Sequence, residues 1–486
     1  MDDVSRLPDV SGLLVTADHP ARGDLSGGMD HERCVALHNY LVDYAWVAEG
    51  RSLTSLRENN TTFFTTHGAA AEHLRPRLDP SLAAFLAGAM LPPADGPDPA
   101  PFFFWASGLS NPGDLFDEAA ADLFDQPADS LVCLYFPNIG QGGEFGGGLF
   151  YHQGYHRAAV FMHMDDHGFA LPVEAHPELW HPLETVLSNW IDLVRLGKVT
   201  ASPTDVPALF GSEKIRPWEW RPYSEAQVAD CVDAWDRLCE AIEARMSLTS
   251  TATDDSISLE TLLTPAVLDV ASVPESCFVR SFLTRARRPQ FRFIAPGLLL
   301  PPADPSEFAT VQPFTSLPRD PHMIPPVCLF PATGSEPEVD ITGSSSPFYN
   351  GGFRERSADS PVPSRVAAGV YSEPVDRDSY DNAEEGFQML LPYGFESVWD
   401  ASDGARKSDG SSLASDKVAE LFQHGYKPFG GDYYRPQRLE ALLGHWCKLV
   451  DRGVWSVGPQ GVEGTIDTFK EAGKERWRDY IIPPTW

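Results

Sequence analysis

Apolar positions recur at helical spacing in several stretches of the chain. In CVALHNYLVDYAWVAEG, residues 34 to 50, Cys34, Leu37, Leu41, Tyr44 and Ala45 mark one face, and Gly50 supplies a natural stop. The same period predicts a helix over Ser81–Met90, and another from Pro112 through PGDLFDEAAADLF, with proline in the first turn. A long helix is expected from His176 to Gly197, with Leu183, Val186, Leu187, Trp190, Ile191 and Val194 inward. A further one, SEAQVADCVDAWDRLCEAIEARM, turns Val228, Cys231, Val232, Trp235, Leu238 and Ile242 inward. Two later helices are expected over SLETLLTPAVLDVA, residues 258 to 271, and Gln437–Arg452.

Strand signals are shorter. SLVCLYFPN, residues 130 to 138, is β-branched and aromatic. Arg157–Met164 and Phe169–Glu174 read as a hairpin turned at Asp165-Asp166-His167-Gly168, and Phe291–Ile294 and Val366–Tyr371 as single strands. The strand-strand-helix order argues for α+β (or mixed α/β) with short, partly antiparallel strands, many helices and two packed subdomains, rather than for alternating parallel crossovers. The 43 prolines and 39 glycines imply Pro-rich loops between short elements, and no internal period is present. A flexible arm is expected over residues 1–30, a first α+β domain over 31–250 and a second domain over 258–486, divided at the polar stretch SLTSTATDDSI.

Charge narrows the partners. A formal net charge of −32 repels phosphate backbones and anionic membranes at long range, which argues against general coating of DNA or RNA. The first twenty residues lack a cationic start followed by an apolar core, and no apolar run spans a bilayer, so a cytoplasmic protein without a membrane partner is expected. Seven scattered cysteines without a Cys-x-x-Cys pair support neither a disulfide framework nor a zinc ribbon.

Three stretches carry candidate chemistry. The first is VYSEPVDRDSYDNAEEGFQMLLPYGFE, residues 370 to 396, where Glu373, Asp376, Asp378, Asp381, Glu384 and Glu385 stand against Arg377 alone. A helix starting near Asp381 would put Ala383 and Phe387 on one face and Asp381, Glu384, Glu385 and Gln388 on the other. The same residues also read as an N-terminal capping pattern, Asp381 with Glu384 three positions on, in a first turn that favours acids. The second stretch, RSFLTRARRPQFR, holds Arg280, Arg285, Arg287, Arg288 and Arg292 with interleaved phenylalanines. It suits bidentate phosphate contact and base stacking, and equally suits internal pairing with the many carboxylates. The third is a histidine centre, His152, His156, His163, His167, His176 and His181, with Asp165 and Asp166 beside it. Strand alternation would scatter these rings over both faces, so solvated or core histidines are expected, with no metal ligand assigned. The glycine-rich GQGGEFGGG, residues 140 to 148, lacks the spacing of a phosphate loop.

In RRPQFRF, SYDNAEEGF and LFQHGYKPFGGD the second half resembles fungal arginine-containing cyclodipeptide synthases. The resemblance implies an enzyme that condenses arginine and a second amino acid, both delivered as aminoacyl-tRNAs, into a diketopiperazine without a cofactor. It further implies an essential motif of the form Asp-Asp-x-x-Glu. The corresponding run is Asp381-Asn382-Ala383-Glu384-Glu385, with asparagine in place of the second aspartate. On this reading Asp381, Glu384 and Glu385 are catalytic, and Asp376, Asp378 and Asn382 hold the substrate. Arg285, Arg287, Arg288 and Arg292 meet the tRNA. Two other classes are compatible with the residues: a metal-dependent hydrolase built on residues 152 to 181, and a non-catalytic intracellular interaction protein.

Overall fold

A computed structural model describes residues 7–93, 102–116, 127, 129–138, 147–161, 173–209, 214–249, 260–333, 338–342, 347–348, 363–378, 382–395, 404–425, 429–430 and 435–484. Helices and small, mostly antiparallel sheets make an α+β fold. The chain divides into two compact units, Met1–Arg221 with Tyr426–Tyr434, and Pro222–Gly425 with Arg435–Thr485. The division therefore falls ahead of the stretch at 247–257. The helix at Glu225–Thr249 belongs to the second unit because Val228, Cys231, Trp235, Leu238 and Ile242 bury themselves in that unit's core.

In the first unit, α1 (His31–Ala48) opens on Asp30, whose carboxylate accepts from Arg33 N–H, and it buries Cys34, Leu37, Leu41 and Ala45 as the spacing predicts. It ends at Gly50, whose φ of +81° is readily adopted only by glycine. The expected loose arm is held instead. Arg33 donates to the carbonyls of Leu13 (2.6 Å) and Leu14 (2.9 Å), Val15 N–H donates to Ser188 Oγ (3.0 Å), and Val10 and Leu14 are buried.

An antiparallel meander follows: β1 (Ala106–Leu109), β2 (Leu131–Pro137), β3 (Gly148–His152) and β4 (Arg157–Phe161). β2 is the strand expected from its β-branched run. β4 pairs with β3 through a turn in which His156 takes φ +54°. The hairpin expected between Arg157–Met164 and Phe169–Glu174 lies largely outside the described residues. The helix expected from His176 begins only at Leu183: α2 spans Leu183–Arg195. Pro182 disfavours helical backbone at His181, which instead makes a bridge with Ala158 of β4. Trp105, Trp190, Trp218 and Trp220 are buried with Phe102, Phe103 and Phe104, so Trp218 and Trp220 pack a core, while Tyr223 packs against Phe278 in the core of the second unit. Gly430 closes this core, because a Cβ there would sit 2.6 Å from the Trp105 ring.

In the second unit, α3 (Glu225–Thr249) packs along α4 (Leu439–Asp451). Beside them lies an antiparallel sheet of β5 (Cys328–Pro331), β6 (Gly369–Ser372) and β7 (Phe387–Leu390), with β6 central. Trp235 of α3 stacks on Phe330 of β5 with centroids 5.5 Å apart. Burying aromatics of this size stabilises the unit by about 2–3 kcal/mol each. The helix expected over 258–271 shortens to Pro265–Val270, since Leu262 and Leu263 hydrogen-bond in extended form to Ala286 and Leu283. No helix among the described residues is long and apolar enough to cross a membrane.

Candidate functional site

The acidic stretch is organised by strands, not by a helix. β6 and β7 pair with Ser372 opposite Phe387, which places Glu373 opposite Gly386, and Glu373 N–H donates to Gly386 O (3.1 Å). Asn382–Gly386 is a turn leading directly into β7. The expected helical face of three carboxylates is therefore absent among the described residues. The reason is tertiary: Phe387–Leu390 is claimed by the edge of β6, and its Phe387, Met389 and Leu390 are buried there.

Each acid has its own surroundings. Glu384 is 2% exposed and accepts from Arg377 Nε (2.6 Å) and from Phe278 N–H (3.0 Å). Arg377 also donates to the carbonyl of Ser276. Glu385 is 3% exposed and accepts from Gln227 Nε2 at 2.6 Å. Glu373 accepts from Gln388 Nε2 (2.6 Å), and burial pushes its carboxyl up to about 8. Asp376 accepts from Asp378 N–H (3.0 Å) in a local turn, and Asp378 is exposed beside His322 at 3.6 Å. Asn382 Nδ2 donates to Arg377 O at 3.4 Å. Asp381 lies outside the described residues.

A second segment meets this turn. Gln423 Nε2 donates to Phe387 O (2.7 Å), and Phe387 N–H donates to Gln437 O (3.3 Å). Leu439 N–H donates to Glu385 O (2.8 Å), and Gly386 bridges Arg438. Gln437 in turn donates to Ser408 Oγ (3.1 Å), and Asp409 N–H donates to His424 O (3.1 Å). Ser408, Asp409, Gln423, His424, Arg435 and Gln437 are all buried. Asp409 presses so closely on Gly425 that a Cβ there would stand 2.3 Å from its carboxylate, and Gly425 takes φ +79°. Buried polar and charged groups are costly unless paired, and here the hydrogen bonds among these residues supply the pairing. Gln227, Asp409 and His424 were not singled out by the sequence as site residues. Glu373 carried a signal in the acidic run, whereas Gln227 stands 158 positions from its partner.

The arginine stretch is mostly engaged within the second unit. Arg287 forms a two-pronged pair with Glu243 (2.8 and 2.9 Å), and Arg285 meets Glu225 at 2.6 Å. Arg288 donates to the carbonyls of Leu262 (2.7 Å) and Pro301 (2.9 Å), and Arg280 pairs with Asp269. Arg292 is exposed over the Phe293 ring. Of the four arginines assigned to tRNA, Arg287 and Arg288 have their guanidinium donors largely committed, while Arg285 and Arg292 reach solvent.

Four histidines of the first unit, His38, His152, His156 and His181, are held by hydrogen bonds within the fold. His152 Nδ1 accepts from the N–H groups of Gly154 (3.1 Å) and Tyr155 (3.3 Å), His156 meets Tyr151 Oη (3.0 Å), and His181 Nε2 donates to Glu178 O (2.9 Å). His38 Nε2 faces Met90 O (2.9 Å), a pure acceptor, so that nitrogen carries the proton and Nδ1 accepts from Tyr135 Oη (2.7 Å). His163 and His167, with Asp165 and Asp166, lie outside the described residues. Among the described residues no three of His, Cys, Asp and Glu gather to hold a metal ion.

Burial holds His38, His152 and His181 down to about 4. The unfolded chain takes these protons near 6.5, so each neutral ring contributes stability that is present above pH 6.5 and lost as the pH falls toward 4. In NMR spectra the three rings are expected to remain neutral from pH 8 to 5, with His38 as its Nε2–H form. A midpoint near 6.5 for His38 would overturn this description.

No family model matches the chain, and no curated protein or solved structure matches it significantly.

Proposed function

We propose that the protein is a tRNA-dependent cyclodipeptide synthase that joins arginine to a second amino acid, acting in the cytoplasm where aminoacyl-tRNAs are found. The observation that carries this reading is the meeting of two distant segments, SYDNAEEGF and the stretch around LFQHG and Arg435–Arg438, through backbone and glutamine hydrogen bonds around Glu385. These are two of the three segments in which the chain resembles that family.

The reaction needs one α-ammonium to lose a proton. The resulting amine attacks the ester carbonyl of the second aminoacyl-tRNA; the new C–N bond forms as the ester C–O bond breaks, and the departing ribose oxygen takes a proton. The dipeptide is now carried by the first tRNA; its free amino group loses a proton and attacks its own ester carbonyl, closing the ring as that C–O bond breaks and the first tRNA leaves with the proton on its ribose oxygen. Glu385, oriented by Gln227, is the proton acceptor, in keeping with carboxylate general-base chemistry. Glu373, which holds its proton to about 8, is the donor to the leaving oxygen. Glu384 is a positioning residue, locked by Arg377 and Phe278. Asp376 and Asp378 offer carboxylates for the substrate guanidinium, with Asn382 hydrogen-bonded to the carbonyl of Arg377 beside them. Phosphate contact falls to Arg292 and Arg285, the solvent-reaching members of the arginine stretch.

Expression of the full chain in a bacterial host, followed by mass spectrometry of extracts, is expected to yield an arginine-containing cyclic dipeptide. Soluble protein without such a product would sink the proposal.

A further inference from the structure

The first unit contains a cavity of about 520 Å³, within the ordinary range for small-molecule sites. Its apolar wall comes from α1 (Val42, Trp46), from Met90 and Leu91, and from Leu109 and Phe136 on the β1–β2 pair. These walls are fixed. His38, which lines the cavity, is held at both ring nitrogens by Tyr135 and Met90 and stacks on Phe102 with centroids 4.6 Å apart. Phe136 is 39% exposed, an unusual placement for a phenylalanine on a central strand.

The charges in the lining are of one sign. Glu49 and the exposed Asp114 are its carboxylates, no lysine or arginine lines it among the described residues, and burial keeps His38 neutral and lowers the basicity of His67. Glu49 is paired with Arg51 at 3.0 Å, while Asp114 has an amide, Asn111 Nδ2 at 3.3 Å, as its described side-chain partner. Arg51, over the Trp46 ring at 4.4 Å, is engaged with Glu49, so a phosphate or carboxylate ligand would meet the Asp114 charge with no lining cation to offset it. The geometry points to a binding site for a small organic amine with an aromatic or alicyclic body, the ring against Trp46, Leu109 and Phe136 and the ammonium at Asp114. The site is independent of the reaction proposed for the second unit.

Three naphthalene probes of one shape and different charge test this assignment by titration calorimetry on the full chain: 1-naphthylmethylamine, 1-naphthylmethanol and 1-naphthoate. The amine is expected to bind tightest, the alcohol about fivefold more weakly, and the carboxylate not measurably. Asp114→Asn should bring the amine to the affinity of the alcohol and leave the alcohol unchanged. Leu109→Trp, which fills the cavity from the edge strand, should abolish binding of both at an unchanged melting temperature, and Val42→Met serves the same purpose if the tryptophan variant does not fold. Equal affinity for all three probes, no heat from any of them at millimolar concentration, or binding that survives both filling variants would each overturn the assignment.

Discussion

Glu385→Gln is expected to reduce cyclic dipeptide formation by at least about 100-fold, the lower end of what a positioned general base contributes. The substitution keeps the shape and an oxygen to accept from Gln227 Nε2, which presently donates at 2.6 Å. It removes the proton-accepting charge. The structural cost is one buried amide with incomplete partners, about 1 kcal/mol, so the melting temperature should fall by no more than about 4 °C. Product measured by mass spectrometry and unfolding followed by tryptophan fluorescence separate the two effects. Full activity in the variant would remove Glu385 from the mechanism, and a large drop in melting temperature with proportionate loss of product would make it a structural group.

Arg377→Ala should have the opposite profile, a large loss of stability. The Glu384 side chain is 2% exposed and that of Arg377 13%. Breaking such a pair from one side leaves a carboxylate in a place where water cannot replace the lost guanidinium, and costs about 3–5 kcal/mol. Phe278 N–H remains as a neutral donor and offsets only part of this. Adding Glu384→Gln to the alanine variant should recover stability, because the amide carries no charge to strand. Urea unfolding of the two single variants and the double variant gives the coupling directly. A loss below about 1 kcal/mol for Arg377→Ala would mean that Glu384 reaches water or another cation.

Helices with a long apolar stripe were legible. α1 and α3 need only their own periodicity, and Cys34, Leu37 and Leu41, or Cys231, Trp235 and Leu238, are buried as the spacing requires. β2 was legible for the same kind of reason. The turn at Asn382–Gly386 was not, because an acidic capping pattern looks the same whether a helix follows it or a strand does. The deciding partner is β6, which takes Phe387–Leu390 by backbone pairing. The start of α2 was misplaced for a local reason that is visible in retrospect, Pro182 acting on His181. The arginine stretch shows the limit of composition: Arg287 finds Glu243 on α3, 44 residues back in the chain, so a run rich in guanidinium groups does not by itself distinguish an RNA surface from an internal brace. Gln227 and Ser408 were beyond reach, since neutral polar residues carry no periodic or charge signal and acquire meaning only when distant groups of the fold are brought to them.

The contribution of Tyr426–Tyr434 to the first unit has a consequence for dissecting this chain. Within the described residues the polypeptide crosses from one unit to the other three times, so a single cut in the coding sequence cannot deliver both units intact. A fragment ending at Arg221 would lack Phe429, whose carbonyl accepts the Trp190 indole N–H at 2.7 Å, and Gly430, which lies against Trp105. It would carry an unsatisfied indole and a hole in its aromatic core. The first unit is therefore completed only once Phe429 and Gly430 have been synthesised, about 200 residues after Arg221, even though most of its residues come first.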